Sequence, residues 1–261
     1  MSKAGWHARF ARWASGLRRG VHPPHHPLRR RVFLSHNGAD KPFVRLLASD
    51  IESFGVEIWI DDLDLGESLS EKISEAIETS TWVAVCLSPR SILSAWVQRE
   101  LKMGLSSRNL GVTVIPLLLA GLADERIPPA LVDRVYGDFR GPEKYDSTFR
   151  KLLRILESKP GRPPGRDILS AIDAVPLPID DRRLARLMEV AGQEDMRSWV
   201  IQYLAQSVGV HSDPTERYWI YAGLGLLGAD EAKPVIRKGL EDSSPWARQG
   251  AIEAAKRLGI S

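Results

Sequence analysis

A tryptophan and a glutamate lie four residues apart in the segment from Ser94 to Leu101, at Trp96 and Glu100. On a helix, side chains at positions i and i+4 share one face, so both would point at the same edge of a pocket. A carboxylate beside an indole in a partly dry cleft can stabilise positive charge that develops on a ribose ring, while the indole covers an aromatic ligand. The competing interpretation is structural, with Trp96 in the core and Glu100 exposed and paired with a neighbouring base.

Three loops complete this candidate site if the chain folds as an open parallel sheet, because such sheets bind ligands outside the carboxyl ends of their strands. The rule selects the polar residues that follow the first three strands, namely Ser35, His36, Asn37 and Gly38, then Asp61 to Glu67, then Ser88 to Ser94. Gly38 and Gly66 allow the backbone to approach a phosphate or a sugar closely.

The elements that must position these loops alternate between short apolar runs and amphipathic helices from Arg31 onward, which is typical of an α/β parallel sheet. Strands are predicted at residues 32–34, 56–60, 82–87, 112–118 and 134–139. Asp40 is predicted to cap the helix after the first strand, with Pro42 in its first turn and Gly55 at its end. Further helices are predicted near residues 68–77, 95–105 and 145–156. Residues 31–157 are therefore expected to form one compact, flavodoxin-like five-stranded domain.

Beyond this domain the strand signals stop. Residues 158–166 have the composition of an exposed linker, and residues 167–261 are predicted to form a smaller all-α domain with helices near 184–190, 199–208, 218–227, 232–240 and 246–258. Arg217, Leu227 and Gly228 lie 31 residues before Arg248, Leu258 and Gly259, which suits HEAT-like helix pairs. An irregular helical bundle is the alternative. Either version favours binding or assembly, with a protein or a small molecule as a trigger, over catalysis.

The N-terminal tail, residues 1–30, is predicted to be disordered or to form a short basic amphipathic helix. Residues 1–31 hold eight Lys or Arg and no Asp or Glu, which leaves 28 basic against 33 acidic residues in the rest of the chain. The folded part is therefore mildly acidic, and no specific nucleic-acid partner is expected.

Neither a membrane span nor a disulfide framework is expected. The longest apolar runs fall far short of the ~20 residues needed to cross a bilayer. Cys86 is the only cysteine and lies inside an apolar strand, which excludes an intrachain disulfide or a thiolate metal site and favours a reducing compartment. We therefore expect a cytoplasmic protein without a metal centre.

Five segments, in order and spacing, resemble the successive boxes of the Toll/interleukin-receptor (TIR) domain. They are Val32 to His36, Trp59 to Asp61 running into Leu65-Gly66, Ile73 to Ile77, Leu87-Ser88, and Ser94 to Leu101. The resemblance covers about residues 31–157 and is to bacterial TIR proteins with an appended helical region. It implies an enzyme, because enzymatic members of this family, in bacterial defence, plant immunity and animal axon degeneration, cleave the nicotinamide glycosidic bond of NAD.

The resemblance also implies roles for individual residues. The family's catalytic glutamate, in a Trp-x-x-x-Glu pattern on the helix after the third strand, falls on Glu100. The implied substrate-binding residues are Ser35, His36, Trp59, Asp61, Gly66 and Trp96, and the loop from Asp61 to Ser68 corresponds to the mobile loop that closes over substrate. Glu100 is expected to bind the nicotinamide ribose hydroxyls and to stabilise an oxocarbenium-like transition state. NAD is then a substrate, and no cofactor or metal is required.

Self-association through TIR domains is expected to activate such an enzyme in innate immunity, anti-phage defence or stress signalling. Three other functions stay open. Many TIR domains are adaptors that only bind other TIR domains. In animal signalling adaptors the catalytic glutamate is often absent, so the presence of Glu100 with Trp96 favours activity. A phospho-receiver domain could use Asp61 or Asp62, but the segment from Ser35 to Asn37 lacks the acidic pair that would hold Mg²⁺. An enzyme similar to nucleoside deoxyribosyltransferases would consume free nucleosides instead of NAD.

Overall fold

A computed structural model describes residues 31–60, 80–92, 113–127, 137–158, 169, 175–193 and 196–260. Its strands form one parallel sheet in the order β2-β1-β3-β4-β5. They are β1 (Arg31–Ser35), β2 (Glu57–Ile60), β3 (Trp82–Leu87), β4 (Thr113–Leu118) and β5 (Gly137–Asp138). This order is that of flavodoxin-like folds, so the predicted fold class is confirmed.

The local sequence accounts for the position of some strands better than for others. β3 lies in the middle of the sheet and is buried along its whole length, as expected for a continuous apolar run in a parallel sheet. β5 has only two residues, and its position depends on Gly137. A Cβ atom at Gly137 would lie 2.6 Å from Cδ2 of Leu117, so a larger residue would require the Leu117 side chain or β5 to shift.

Two helices pack on one face of the sheet, α1 (Lys41–Ser53) and α2 (Tyr145–Glu157). Pro42 lies in the first turn of α1 and Gly55 follows its end with φ at 78°, both as predicted. The predicted cap at Asp40 is wrong, because its side chain makes no capping hydrogen bond. The Asp40 backbone is already helical, with φ −90° and ψ −3°, whereas a capping residue is normally extended.

The C-terminal part of the described chain is helical, as predicted. Its helices are α3 (Asp181–Ala191), α4 (Arg197–Ser207), α5 (Pro214–Leu227), α6 (Lys233–Gly239) and α7 (Pro245–Leu258). Pro214 and Pro245 begin α5 and α7, where the missing backbone N–H costs no hydrogen bond. None of the helices that the structure describes is long and apolar enough to cross a membrane.

Helices α5 and α7 begin and end with the same local contacts. Arg217 in α5 donates to two backbone carbonyls in the turn before that helix, and Arg248 makes the equivalent contacts before α7. Both helices end at a left-handed glycine, Gly228 with φ at 64° and Gly259 with φ at 61°. The period noted in the sequence therefore corresponds to a repeated geometry, and the assignment to HEAT-like repeats stays a prediction.

The sheet domain and the helical region share one hydrophobic core. Trp199 and Tyr203 of α4 pack against Phe43 of α1 and Tyr145 of α2, with ring centroids 5.6–5.7 Å apart for the three cross-region pairs. The helical region thus covers α1 and α2. Residues 1–30 and most of the predicted linker lie outside the described residues, so the predicted domain boundaries stay predictions.

Candidate functional site

The loops that follow β1 and β3 begin side by side at the carboxyl edge of the sheet. These strands are parallel neighbours, with Ser35 opposite Val85 in the register. Ser35 is buried and His36 is half-buried where the chain leaves β1. Both residues that were predicted to lie near the substrate therefore lie at the edge where open parallel sheets bind ligands.

The loop after β1 is a short hydrogen-bonded turn. The side-chain oxygen of Asn37 accepts from the backbone N–H of Ala39 at 3.0 Å, and the carbonyl of Asn37 accepts from the N–H of Asp40 at 2.8 Å. These bonds close a 3₁₀ turn over Gly38–Asp40, which leads directly into α1. Because asparagine side chains can close such turns locally, this loop has a defined shape before any ligand arrives.

Two buried serines hold the turn after β3. Ser91 Oγ accepts from the N–H of Ser88 at 2.7 Å and donates to the carbonyl of Cys86 at 3.0 Å, while Ser88 Oγ accepts from the N–H of Ser91 at 3.1 Å. Cys86 is a buried free thiol, and burial raises its pKa, so it packs as a small hydrophobic residue as predicted. The turn fixes the direction in which the chain leaves β3 toward the segment that contains Glu100.

One hydrogen bond joins the two loops, since Ser88 Oγ donates to Asp40 Oδ2 at 2.7 Å. Burial raises the pKa of the Asp40 carboxyl above its ordinary value, and the hydrogen bond from Ser88 and the charge of Arg90 oppose that shift. Asp40, in the loop after β1, thus accepts a hydrogen bond from the loop after β3, and this contact fixes the two loops relative to each other.

Trp59 lies in β2, one residue before the strand ends, and is half-buried. Its ring packs against Phe33, with centroids 5.0 Å apart and planes inclined by 41°. Phe33 lies opposite Trp59 in the register and alternates along β1 with Val32 and Leu34, which belong to the core formed with α1. Trp59 therefore lies on the sheet face opposite α1, near the carboxyl edge, and its contact with substrate stays a prediction.

The remaining predicted site residues, Asp61, Gly66, Trp96 and Glu100, lie outside the described residues, as does most of the predicted closing loop. The structure therefore places Ser35, His36 and Trp59 of the predicted set. Within the described ranges, no three His, Cys, Asp or Glu side chains are grouped so that they could hold a metal ion.

Two residues that were not assigned to the site from the sequence shape the loop after β1. Asp40 accepts the hydrogen bond from Ser88, and Gln193, just beyond α3, donates through Nε2 to the carbonyl of Ala39. Both are polar residues at helix ends, where polar residues are common for local reasons alone. The sequence holds no signal for the contact of Gln193, because 154 residues separate the two partners.

The chain is similar to known proteins over the sheet domain. The family described as TIR domain matches residues 32–153, from β1 into α2, and does not extend to the helices α3 to α7. A 2′ cyclic ADP-D-ribose synthase of Acinetobacter baumannii is 38% identical over 82 residues, which are 30% of this chain and 30% of that protein.

Two further relatives show a similar level of identity. A 2′ cyclic ADP-D-ribose synthase of Bacteroides thetaiotaomicron is 31% identical over 110 residues, 40% of this chain and 38% of that protein. An NAD(+) hydrolase of a Theionarchaea archaeon is 30% identical over 134 residues, 49% of this chain and 40% of that protein. The chain thus spans 40% or less of the length of each of these three relatives.

Proposed function

Since residues 32–153 of this chain belong to the TIR domain family, we propose that the chain is an NAD⁺ nucleosidase that cleaves the bond between nicotinamide and ribose. The observation that carries this proposal is the similarity to proteins named as an NAD(+) hydrolase and as 2′ cyclic ADP-D-ribose synthases. The arrangement at the carboxyl edge of the sheet supports it, because two preformed loops begin there side by side.

We assign the catalytic role to Glu100, with the substrate bound by Ser35, His36, Trp59, Asp61, Gly66 and Trp96. The turn held by Ser88 and Ser91 supports this assignment, because it leads from the middle strand into the segment that contains Trp96 and Glu100. A helix in that segment would carry both side chains on one face. The loop with Ser35 and His36 begins beside the same turn, so the two sets of residues would face one substrate.

The reaction breaks the bond between C1′ of the ribose and the nicotinamide nitrogen. Nicotinamide is cationic in NAD, so it takes the bonding electron pair and leaves as a neutral molecule without a proton donor. Positive charge develops on the ribose, where the Glu100 carboxylate stabilises it and accepts hydrogen bonds from the ribose hydroxyls. Water then adds to C1′ and releases a proton, whereas attack by a group at the adenine end of the same molecule gives a cyclic product. NAD is the substrate, and the scheme uses no metal and no cofactor.

We propose that this enzyme works in the cytoplasm, in defence against phage or in stress signalling, and that association between TIR domains activates it. The free, buried Cys86 is compatible with a reducing compartment. The resemblance to TIR domains supports association, because it implies that the loop from Asp61 to Ser68 also packs against a neighbouring domain. A trigger that acts on the helical region is a hypothesis from the sequence.

Nicotinamide release from NAD tests the proposal. The purified chain is incubated at high concentration, with a crowding agent or immobilised on beads, because activity that requires association depends on protein concentration. Glu100→Gln removes the negative charge and should lower the rate by roughly 100-fold or more. The matched control is Glu52→Gln, because Glu52 is exposed on α1 and belongs to no proposed site. It should release nicotinamide at the wild-type rate.

Each outcome separates the alternatives. Release that depends on Glu100 and not on Glu52 supports the nucleosidase and justifies identification of the product. No release under any clustering condition contradicts it and favours a non-catalytic adaptor. Consumption of free nucleosides with NAD left intact favours an enzyme similar to nucleoside deoxyribosyltransferases.

A further inference from the structure

Helix α3 contacts helix α1 at both ends. At one end, Arg183 in the first turn of α3 binds Asp50 in the last turn of α1, with Nε 3.0 Å from Oδ1 and Nη2 3.1 Å from Oδ2. At the other end, Gln193, just beyond α3, donates through Nε2 to the carbonyl of Ala39, just before α1. The two helices therefore run antiparallel, and polar contacts fix α1 where it begins and where it ends.

The Arg183 end of this contact is rigid. Arg183 and Asp50 are both buried, and the hydroxyl of Tyr145 also donates to Asp50, at 2.8 Å. Arg183 donates to the hydroxyl of Tyr203 at 2.8 Å, and that hydroxyl donates to Asp146 at 2.8 Å. Burial raises the pKa of Asp50, and Arg183 opposes the shift. Buried charges keep such an arrangement because any displacement leaves one of them without a partner, so α3 has a fixed position along α1.

The Gln193 end reaches the loop of the candidate site. Ala39 is the middle residue of the 3₁₀ turn Gly38–Asp40, three residues after His36. The next residue, Asp40, accepts the hydrogen bond from Ser88 in the turn after β3. The loop is thus held from two sides, by the turn after β3 and by the helical region. Without Gln193, the loop loses its hydrogen bond to the helical region, while its hydrogen bond to the turn after β3 remains.

We infer that Gln193 is a positioning residue for the loop after β1, and that the helical region contributes to the active site through it without touching the substrate. This inference rests on the proposed function. A loop that is ordered in advance binds its ligand more tightly, because ordering the loop no longer costs binding free energy. Loss of the hydrogen bond from Gln193 should therefore raise KM for NAD, while kcat, which depends on Glu100, stays nearly unchanged.

Two variants of the full chain test the donor role of Gln193. Gln193→Ala removes the side chain, and Gln193→Glu keeps its size but, as a carboxylate, cannot donate a hydrogen bond. The matched control is Gln206→Ala, because Gln206 is an exposed glutamine on α4. Loss of one neutral hydrogen bond corresponds to about a fivefold change in an equilibrium constant. Both Gln193 variants should raise KM about fivefold with kcat within about twofold, and Gln206→Ala should change neither value.

Amide hydrogen exchange reports on the loop without any turnover. The N–H groups of Ala39 and Asp40 are bonded within the turn, so both should exchange about fivefold faster in the two Gln193 variants. The N–H of Leu119, bonded to the carbonyl of Leu87 at 2.8 Å, is the internal control and should exchange at the wild-type rate. Faster exchange at Leu119 as well would indicate general destabilisation and would contradict a local role.

The two measurements together decide between the inference and the proposed function. If the wild type cleaves NAD, faster exchange in the loop together with a higher KM supports the inference, and a change in only one of them, or in neither, overturns it. If the wild type releases no nicotinamide, the proposed function fails and exchange alone decides. Acceleration confined to Ala39 and Asp40 then supports Gln193 as the residue that holds the loop, and unchanged exchange overturns this role.

Discussion

The guanidinium of Arg183 binds the carboxylate of Asp50 in the buried space between α3 and α1, although 133 residues separate them in the sequence. Each side chain is only 8% exposed. If either partner is lost, the other charge remains buried without compensation, which is costly. This pair therefore adds a buried ionic contact to the hydrophobic core that the helical region and the sheet domain share.

Replacement of Arg183 by methionine should lower the free energy of unfolding by about 3–5 kcal/mol, because Asp50 is left buried without a charged partner. Urea denaturation followed by circular dichroism measures the change. The matched control is Arg186→Met on the same helix. Arg186 is 41% exposed and pairs with Glu189 at 3.0 Å, and surface pairs of this kind contribute about 0–1 kcal/mol. Equal effects of the two variants would show that the buried pair has no special importance.

Asp40→Asn should stabilise the protein at neutral pH. Burial raises the pKa of Asp40 on folding, so the folded protein binds this proton more tightly than the unfolded chain does. The contribution of Asp40 to stability is therefore fully present below the ordinary pKa of 3.8 and is lost as the pH rises through the higher pKa of the folded state. The asparagine variant does not titrate, so its unfolding free energy should match the wild type in acid and exceed it at pH 7.

Asp138→Asn serves as a control with the opposite sign. Its hydrogen bond with Arg140 lowers the pKa of Asp138, so the stability that Asp138 contributes is present above the ordinary pKa and is lost as the pH falls through the lower pKa of the folded state. This variant should be less stable than the wild type at pH 7, and the difference should vanish in strong acid. Thermal melts of both variants between about pH 2 and pH 8 measure the two trends, and a difference of the same sign at pH 7 in both variants would contradict the assignment.

Ser91→Ala should weaken both the fold and the proposed activity. It removes the acceptor of the Ser88 N–H and the donor to the Cys86 carbonyl, both of which are buried, at an expected cost of about 1–3 kcal/mol. Because the turn leads into the segment that contains Glu100, nicotinamide release should fall roughly 10- to 100-fold. Ser198→Ala, at an exposed position of α4, is the control for both assays. If Ser91→Ala behaves like this control, the turn does not position the segment.

Gly225→Ala should destabilise the helical region, because α5 and α7 pack with their backbones close together. A Cβ atom at Gly225 would lie 2.6 Å from Cα of Ala254, and such overpacking costs about 1–3 kcal/mol. At Gly209 the nearest atom to an added Cβ is 3.8 Å away, so Gly209→Ala should be neutral or slightly stabilising. Differential scanning calorimetry compares the two variants, and equal melting temperatures would mean that α5 and α7 can move apart without cost.

Much of the architecture follows from local patterns in the sequence. The run from Trp82 to Leu87 predicts β3 with the same bounds that the structure has, because a strand buried on both faces needs an unbroken apolar segment. The patterns near residues 218–227 and 246–258 predict α5 and α7, which begin at Pro214 and Pro245, since proline is well tolerated in the first turn of a helix. Ser35 and His36 are polar residues at the carboxyl end of the first apolar run, which is sufficient to place them at the ligand-binding edge of a parallel sheet.

Only the tertiary structure decided which partners the polar side chains bind. Asp40 has the sequence position of a helix cap, yet its carboxylate binds Ser88, because the preceding 3₁₀ turn has already taken up helical backbone geometry. Nothing in the sequence distinguishes Arg183 in α3 or Gln193 just beyond it, and their contacts with Asp50 and Ala39 arise when α3 packs antiparallel to α1. The physical reason is that periodicity reflects which face of an element is buried, whereas a hydrogen-bond partner depends on how segments distant in the chain are packed against each other.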